Sequence, residues 1–370
     1  MRALAVFPGS REVKVIDKDP PRLTEPDHVL LRILDVGICG TDREICSFEY
    51  GTPPPGEDHL VLGHEALAEV IDVGPAAEGV RPGDLVVPTV RRPCPHPDCL
   101  PCRSGHQDYC VTGDFTERGI KEAHGYLTEY VVERAPNLVP VPAALRDTGV
   151  LTEPLTIAEK ALAQVFWLMH HRPPWIDPDT PPYRRGDGLS ALVLGVGPVG
   201  ILGTMTLTVS GFRTFVYSRE LAPSPRTDLV SATGATYVSS QATSAPELAA
   251  QIGNIDLIYE AVGHSHFAFE VLGVLGHNGI FILTGIPGVQ AFIEADAASL
   301  MRDMVLKNQV VLGTVNAGPA AFVAAVQQLA EFHRQWPEIT PTLIGGRYPV
   351  DEAAELVFAR PIGIKTVISF

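Results

Sequence analysis

The chain has 370 residues, with 28 lysines and arginines against 43 aspartates and glutamates, a net charge of −15 and a hydrophobic fraction of 45%. That length and hydrophobicity fit two folded domains and exclude wholesale disorder, and the acidity argues against a nucleic-acid backbone as partner. The 34 glycines and 33 prolines follow no Gly-X-Y period, which excludes collagen, and six cysteines are too few for a disulfide scaffold.

The opening run Met1–Phe7 is broken by Pro8 and Gly9, and no secretory apolar region follows it. With so few cysteines, this predicts a cytoplasmic location. Residues 1–140 read as β-rich: Val29–Leu34 and Ala66–Val73 are strand-like, and Pro82-Gly83-Asp84 turns into Leu85–Val87. Leu155, Ala158, Ala161, Leu162 and Val165 recur at helical intervals within 144–170. The stretch His171–Gly188, with Pro173, Pro174, Pro178, Pro181 and Pro182, reads as a connector.

From residue 189 strands and helices alternate. Ala191–Leu194, Thr214–Tyr217, Ile255–Tyr259, Gly279–Thr284 and Val310–Val315 read as strands; Val199–Ser210, Asp228–Thr233 and Ser299–Asn308 read as helices. This βαβ rhythm predicts an α/β fold with a doubly wound parallel sheet. Gly188–Phe212 carries no charge, but its internal glycines and proline predict a strand, turn and helix rather than a membrane span. A helix at Ala320–Trp336 and a strand at Lys365–Phe370 break the rhythm.

The strand at 191–194 runs into Gly195-Val196-Gly197-Pro198-Val199-Gly200 and then a helix, a G-x-G-x-x-G in its proper context. The first glycine allows the tight turn, the second a close approach to a pyrophosphate, and the third helix–strand packing. The helix start offers free N–H groups to the phosphates. This makes Gly195, Gly197, Pro198, Val199 and Gly200 cofactor-binding candidates. After the next strand come Ser218, Arg219 and Glu220. Arg219 and Ser218 suit the 2′-phosphate of NADP, Arg226 is a further cation, and Glu220 could instead serve the 2′-hydroxyl of NAD. NADP is favoured.

Two constellations suit zinc. Cys94, Cys99, Cys102 and Cys110 lie within 17 residues, a spacing that predicts a closed, tetrahedral structural site, with His96 as a substitute ligand. Cys39, His64-Glu65 and Glu153 are dispersed, but a thiolate, an imidazole and one or two carboxylates make an open catalytic site with room for a substrate oxygen. Cys46 has no such pattern and reads as core.

These residues resemble the zinc-dependent medium-chain dehydrogenase/reductase family. The carriers are Gly63-His64-Glu65, the Gly83-Asp84-x-Val86 turn, the four-cysteine lobe and the Gly195–Gly200 loop. Within that family the chain is most similar to the archaeal-type glucose dehydrogenases, through Cys39–Glu44, Val61–Ala66, Pro88–Arg92, Glu117–Ile120, Ala123–Tyr126, Glu153-Pro154-Leu155 and Gly313–Asn316. It departs from some relatives at Val90 and Asp114, where they carry asparagine and glutamate.

The resemblance implies a GroES-like catalytic domain of residues 1–188 and 317–370 around a Rossmann domain of 189–316. It implies Cys39, His64 and Glu153 as catalytic zinc ligands, Glu65 as an intermittent ligand or a partner behind them, and Thr41 near the substrate oxygen. Asp114 would face a sugar hydroxyl, and Asn316 would lie where substrate and cofactor meet. His124 and Glu159 are further polar candidates for the sugar. The reaction implied is oxidation of the anomeric hydroxyl of glucose or a related aldose to the lactone, with hydride passing to NADP or NAD. The partners expected are this small-molecule sugar and further copies of the chain, as a homodimer or homotetramer, with no nucleic acid and no membrane. Rival readings are a polyol or secondary-alcohol dehydrogenase on the same zinc, a zinc-independent quinone or enoyl reductase, and a non-catalytic dinucleotide-binding protein.

Overall fold

The strand His28–Gly37 organises the first part of the molecule because its Val29, Leu31, Ile33 and Val36 are fully buried. In the computed structural model of the chain, every residue is described except 173, 174, 176–178, 289–291 and 360–362, together with the side chain of Pro182. Two units emerge: Met1–Thr156 with Asn316–Phe370, and Ile157–Val315.

In the first unit a sheet runs in the order Leu138–Val141, Leu85–Pro88, Glu65–Val73, His28–Gly37, Lys365–Ser369 and Ile344–Pro349, with Tyr130–Arg134 also paired to His28–Gly37. The chain's last strand therefore lies beside one of its first, with Val367 opposite Gly37 and Ile368 opposite Val36. On the other side Gly37 faces Glu65. A side chain at 37 would displace the Glu65 carboxylate: a Cβ there would stand 2.1 Å from Glu65 Oε2 and 3.2 Å from Lys365 Cδ. The glycine leaves the gap in which those two side chains meet.

Helical character over 144–170 resolves into two single 3-10 turns, Ala143–Leu145 and Gly149–Leu151, followed by the helix Thr152–His171. Gly149, in the second of these turns, is pressed against the strand Glu65–Val73, where a Cβ would meet Leu67 Cδ1 at 2.8 Å. Glu153 sits in the helix's first turn.

The second unit holds six parallel strands in the spatial order Thr236–Ser239, Arg213–Ser218, Ser190–Leu194, Leu257–Glu260, Ile280–Leu283 and Val310–Gly313. Numbered along this unit, that order is 3-2-1-4-5-6, the doubly wound dinucleotide-binding arrangement. All five residues of Ser190–Leu194 are buried, as a central strand covered on both faces requires. The uncharged segment at 188–212 is this strand and the helix Pro198–Val209. Among the described residues, no helix is long and apolar enough to cross a membrane.

Periodicity does not reveal the strand Thr236–Ser239 or the helices Ala245–Ile252 and Ser265–Leu272. Eight residues give barely two turns, so end-capping rather than an apolar stripe marks them. Ser244 and Glu247 form a reciprocal capping box, and the His264 side chain accepts the Phe267 N–H. The division between units also falls elsewhere than at the proline-rich stretch. Lys160 Nζ donates to the Val315 carbonyl at 2.8 Å and Gln164 to Thr314 at 3.0 Å, tying residues from 157 onward to the second unit. The connector prolines Pro173, Pro174 and Pro178 lie outside the described residues.

Candidate functional site

The short helix Gly40–Cys46 begins at Cys39, and Asp42 occupies its third position. Asp42 is fully buried; it accepts the Cys39 N–H at 2.8 Å and the Gly63 N–H at 3.3 Å, and its Oδ1 faces His64 Nδ1 at 3.6 Å. One carboxylate thus binds together the two segments that carry Cys39 and His64. Burial works against its charge, yet His64 and the Cys39 N–H hold it below the usual carboxylate range. A carboxylate behind a ligating imidazole orients the ring and strengthens it as a donor.

Donor atoms of Cys39, His64 and Glu65 lie within 4.8 Å of one another. Thiolate, imidazole and carboxylate at this spacing are a donor set that fits zinc. His64 Nδ1 is buried with no hydrogen-bond partner among the described residues; burial disfavours the imidazolium, but Asp42 and Cys39 raise its pKa well above the ordinary value. A bound dication would answer the same concentration of negative charge. Thr41 Oγ1 stands 4.0 Å from Cys39 Sγ, in the helix's first turn.

Glu153 lies outside that trio, and Glu65 lies within it. Both Glu65 oxygens, however, are engaged by Lys365 Nζ, at 2.7 and 2.6 Å, and both residues are buried. The Glu153 carboxyl is pushed up to about 7, chiefly by burial and then by Glu65 and Asp42, against the opposing pull of His64 and Lys365. Glu153 is therefore close enough to feel the whole cluster and can give up its proton when a cation arrives. Cys46 is buried, and its thiol is pushed up to about 12 by burial and by Asp42, which makes it inert.

The sulfurs of Cys94, Cys99, Cys102 and Cys110 also fall within 4.8 Å of one another, and those of Cys99 and Cys110 are 3.9 Å apart. A tetrahedron of zinc–sulfur bonds has edges of about 3.8 Å, far longer than a disulfide. Against burial, the Thr112 hydroxyl and neighbouring backbone N–H groups lower the Cys110 thiol to about 6. His96 is not in this group; it is exposed and bonded to Asp114.

Asp114 is itself exposed, with that contact to His96 and with its N–H on Thr112 Oγ1 at 3.2 Å. His124 belongs to a separate cluster. Its Nδ1 accepts the Val61 N–H at 3.2 Å, its Nε2 meets Glu57 at 2.8 Å and Lys18 at 3.1 Å, and its ring stacks on His59. These bonds occupy both ring nitrogens, so His124 does not serve a sugar. Glu159, in the second unit, is pushed up to about 7 by burial, and one of its oxygens has no hydrogen-bond partner among the described residues. Tyr50, half-exposed, was not singled out by sequence; its phenol lies in the field of both His64 and Glu117.

In the second unit a cavity of about 810 Å³ opens at the glycine loop, lined by Gly195, Gly197, Arg219, Glu220 and Arg226 among others. Gly195 has φ +103°, which favours glycine. Gly197 caps the helix Pro198–Val209, and a Cβ there would meet nothing within 4 Å, so the space above the helix start is open for a pyrophosphate. Gly200 packs against the loop it follows, where a Cβ would stand 2.4 Å from the Gly195 carbonyl. Gly200→Ala should therefore weaken dinucleotide binding about 10- to 100-fold, measured by calorimetry, because overpacking against backbone typically costs about 1–3 kcal/mol.

Ser218 lines the cavity but is buried, and its hydroxyl is committed to Tyr237 at 2.9 Å and the Glu220 N–H at 3.2 Å. These bonds shape the loop. Gln241 braces the same loop through the Arg219 carbonyl at 2.6 Å. Arg219 is exposed at the rim, with Arg226 also on the lining.

Known proteins match both units. Residues 25–143 fit the alcohol dehydrogenase GroES-like domain and residues 146–370 the glucose dehydrogenase C-terminus. A glucose 1-dehydrogenase of Methanocella arvoryzae is 37% identical over 96% of this chain and 95% of its own length. One from Caldivirga maquilingensis is 37% identical over 100% of this chain and 98% of its own. The glucose dehydrogenase of Haloferax mediterranei, solved in complex with NADP, Zn and gluconolactone, superposes with a TM-score of 0.87 at 35% identity, covering 100% of this chain and 99% of that one.

Proposed function

The chain belongs to the glucose dehydrogenase branch of the zinc-dependent medium-chain dehydrogenase/reductase family, and from that premise we propose that its residues oxidise the anomeric hydroxyl of D-glucose, or a closely related aldose, to the lactone with hydride transfer to NADP. The observation that carries this reading is the convergence of Cys39, His64 and Glu65 in a buried cluster, in a chain that also forms a glycine-loop cavity. When bound, zinc supplies Lewis acidity to the sugar hydroxyl and NADP accepts the hydride. Cys39 and His64 would hold the metal, with Glu153 as the third ligand, its proton released on binding. Glu65, clamped by Lys365, stands behind them as a ligand in reserve.

Thr41, whose hydroxyl lies 4.0 Å from Cys39 Sγ, takes the first step in moving the substrate proton out. Asp114 and Asn316 are assigned to the sugar hydroxyls. The Gly195–Gly200 loop holds the pyrophosphate, and Arg219 with Arg226 receives the 2′-phosphate; Glu220 on the same lining leaves NAD usable. The four-cysteine lobe holds a second, structural zinc. Six free thiols, four of them grouped for a metal, fit a reducing cytoplasm.

The test is the rate of NADP and NAD reduction across glucose, galactose, xylose and sorbitol. Aldoses, glucose foremost, should reduce NADP; activity confined to sorbitol or to simple secondary alcohols would sink the reading.

We also assign a homo-oligomer built on the exposed edge strand Val310–Gly313 and the helix Ala297–Leu306. That helix has no buried residue and exposes Met301, Val305 and Leu306, and Val311 beside it is exposed too. A second copy covering these side chains accounts for so much apolar surface at a sheet edge. Val305→Glu combined with Val311→Lys should yield monomers in sedimentation equilibrium, and wild-type protein that is already monomeric would refute the assignment.

A further inference from the structure

We propose that Glu260 is a positioning residue for the nicotinamide half of the dinucleotide, its buried carboxylate tying the loop 261–263 to the loop 284–286 at one end of the cofactor cavity. The proposal deepens the cofactor reading made above and rests on it.

Glu260 is the last residue of the strand Leu257–Glu260 and is 1% exposed. Its Oε1 accepts two successive backbone N–H groups, those of Val262 and Gly263, each at 2.7 Å. Its Oε2 accepts the Gly285 N–H at 3.1 Å, just beyond the neighbouring strand Ile280–Leu283. The main chain adds to the tie: the N–H of Thr284 at 3.2 Å and its hydroxyl at 2.6 Å both donate to the Glu260 carbonyl. A carboxylate only accepts, so three converging N–H groups suit it, whereas an amide would turn a donor against one of them.

The glycines of the two loops let them touch. Gly263 has φ +71°, and a Cβ there would stand 2.6 Å from the Ile286 carbonyl oxygen; a Cβ on Gly285 would stand 2.2 Å from the Gly263 nitrogen. On its other flank the first loop abuts the glycine loop, since a Cβ on Gly195 would meet Val262 Cγ2 at 2.8 Å. Ala261 and Val262 line the cofactor cavity. In a sheet of order 3-2-1-4-5-6 the two halves of a dinucleotide lie on either side of the switch point between the first and fourth strands. Arg219 and Arg226 follow the second strand and take the adenosine half. The nicotinamide half then falls over the ends of Leu257–Glu260 and Ile280–Leu283, where Glu260 makes its bonds. Its carboxylate oxygens hold backbone N–H groups of both loops, so it acts on the ring's seat through them.

The test compares two ligands by calorimetry: NADP, and 2′-phospho-ADP-ribose, which lacks only the nicotinamide. Glu260→Gln keeps the shape but leaves an acceptor for one loop and turns an N–H toward the other. It should raise the Kd for NADP about tenfold and leave that for 2′-phospho-ADP-ribose within about twofold. An equal loss for both ligands would mean that the carboxylate merely holds the fold and would overturn the proposal, as would an unchanged Kd for NADP. Should Glu260→Gln fail to fold, Gly285→Ala decides in its place, because its methyl group forces the same two loops apart while the carboxylate stays; equal losses or none again overturn the proposal. Neither ligand involves the sugar. Wild-type protein that binds NADP but oxidises no aldose would therefore remove the sugar reading alone, whereas wild-type protein that binds neither ligand would remove the cofactor reading and the proposal with it.

Discussion

His64→Ala should lower kcat/KM for glucose by about 1,000-fold or more while leaving the protein folded. Lewis-acid stabilisation is worth several kcal/mol, and each 1.36 kcal/mol is about a factor of ten in rate. The loss should be chemical and not structural because of how Asp42 is held. Without His64 that buried carboxylate keeps the Cys39 and Gly63 N–H bonds, so the two ligand-bearing segments stay joined. Metal analysis separates the two zinc sites. His64→Ala should retain the ion of the four-cysteine lobe, whose sulfurs form their own group, and lose the other. Wild-type turnover with only the lobe's zinc bound would end the assignment of Cys39, His64 and Glu153 to the chemistry. Cys99→Ser should show the complementary pattern, with loss of the lobe's ion and a lower melting temperature.

What the sequence made legible follows the distance over which each feature is encoded. The glycine loop needs only a strand, a turn and a helix start, and Gly195, Gly197 and Gly200 announce all three within a few residues. The four-cysteine lobe is equally local, since Cys94 to Cys110 can close on one ion without help from the rest of the chain. Cys39, His64 and Glu153 could be grouped by donor type and were given ligand roles by resemblance, because nothing in their spacing requires them to meet. Asp42 left a trace, as a carboxylate at the third position of a helix that starts at a ligand. Lys365 left none. Its role depends on the chain's last strand pairing beside Gly37, some 300 positions from Glu65, and no local pattern encodes that. Ser218 shows the same dependence on distant partners. Its position beside Arg219 suggested a phosphate contact, but Tyr237, on a short strand that periodicity missed, takes its hydroxyl inward.

Lys365→Met should destabilise the enzyme by about 3–5 kcal/mol, the cost typical of stripping one partner from a buried ion pair. Lys365 and Glu65 are 2% and 1% exposed, and the ammonium binds both carboxylate oxygens. The methionine would leave the Glu65 carboxylate without its cation, sealed from water and within the field of Glu153. The urea midpoint should fall accordingly. The double variant Glu65→Gln/Lys365→Met removes the stranded charge and should recover most of the loss, since a buried pair as a whole is worth little beside an apolar or neutral replacement of the same size. Equal instability of the single and double variants would show that the lysine acts through packing against Gly37 rather than through charge. The pair also bears on catalysis. While Lys365 binds both oxygens, Glu65 would compete less strongly as a ligand for a bound zinc. In Lys365→Met the freed carboxylate would bind such a zinc more strongly, and kcat should fall further than the loss of folded protein accounts for. The double variant, with no carboxylate to release, should regain it.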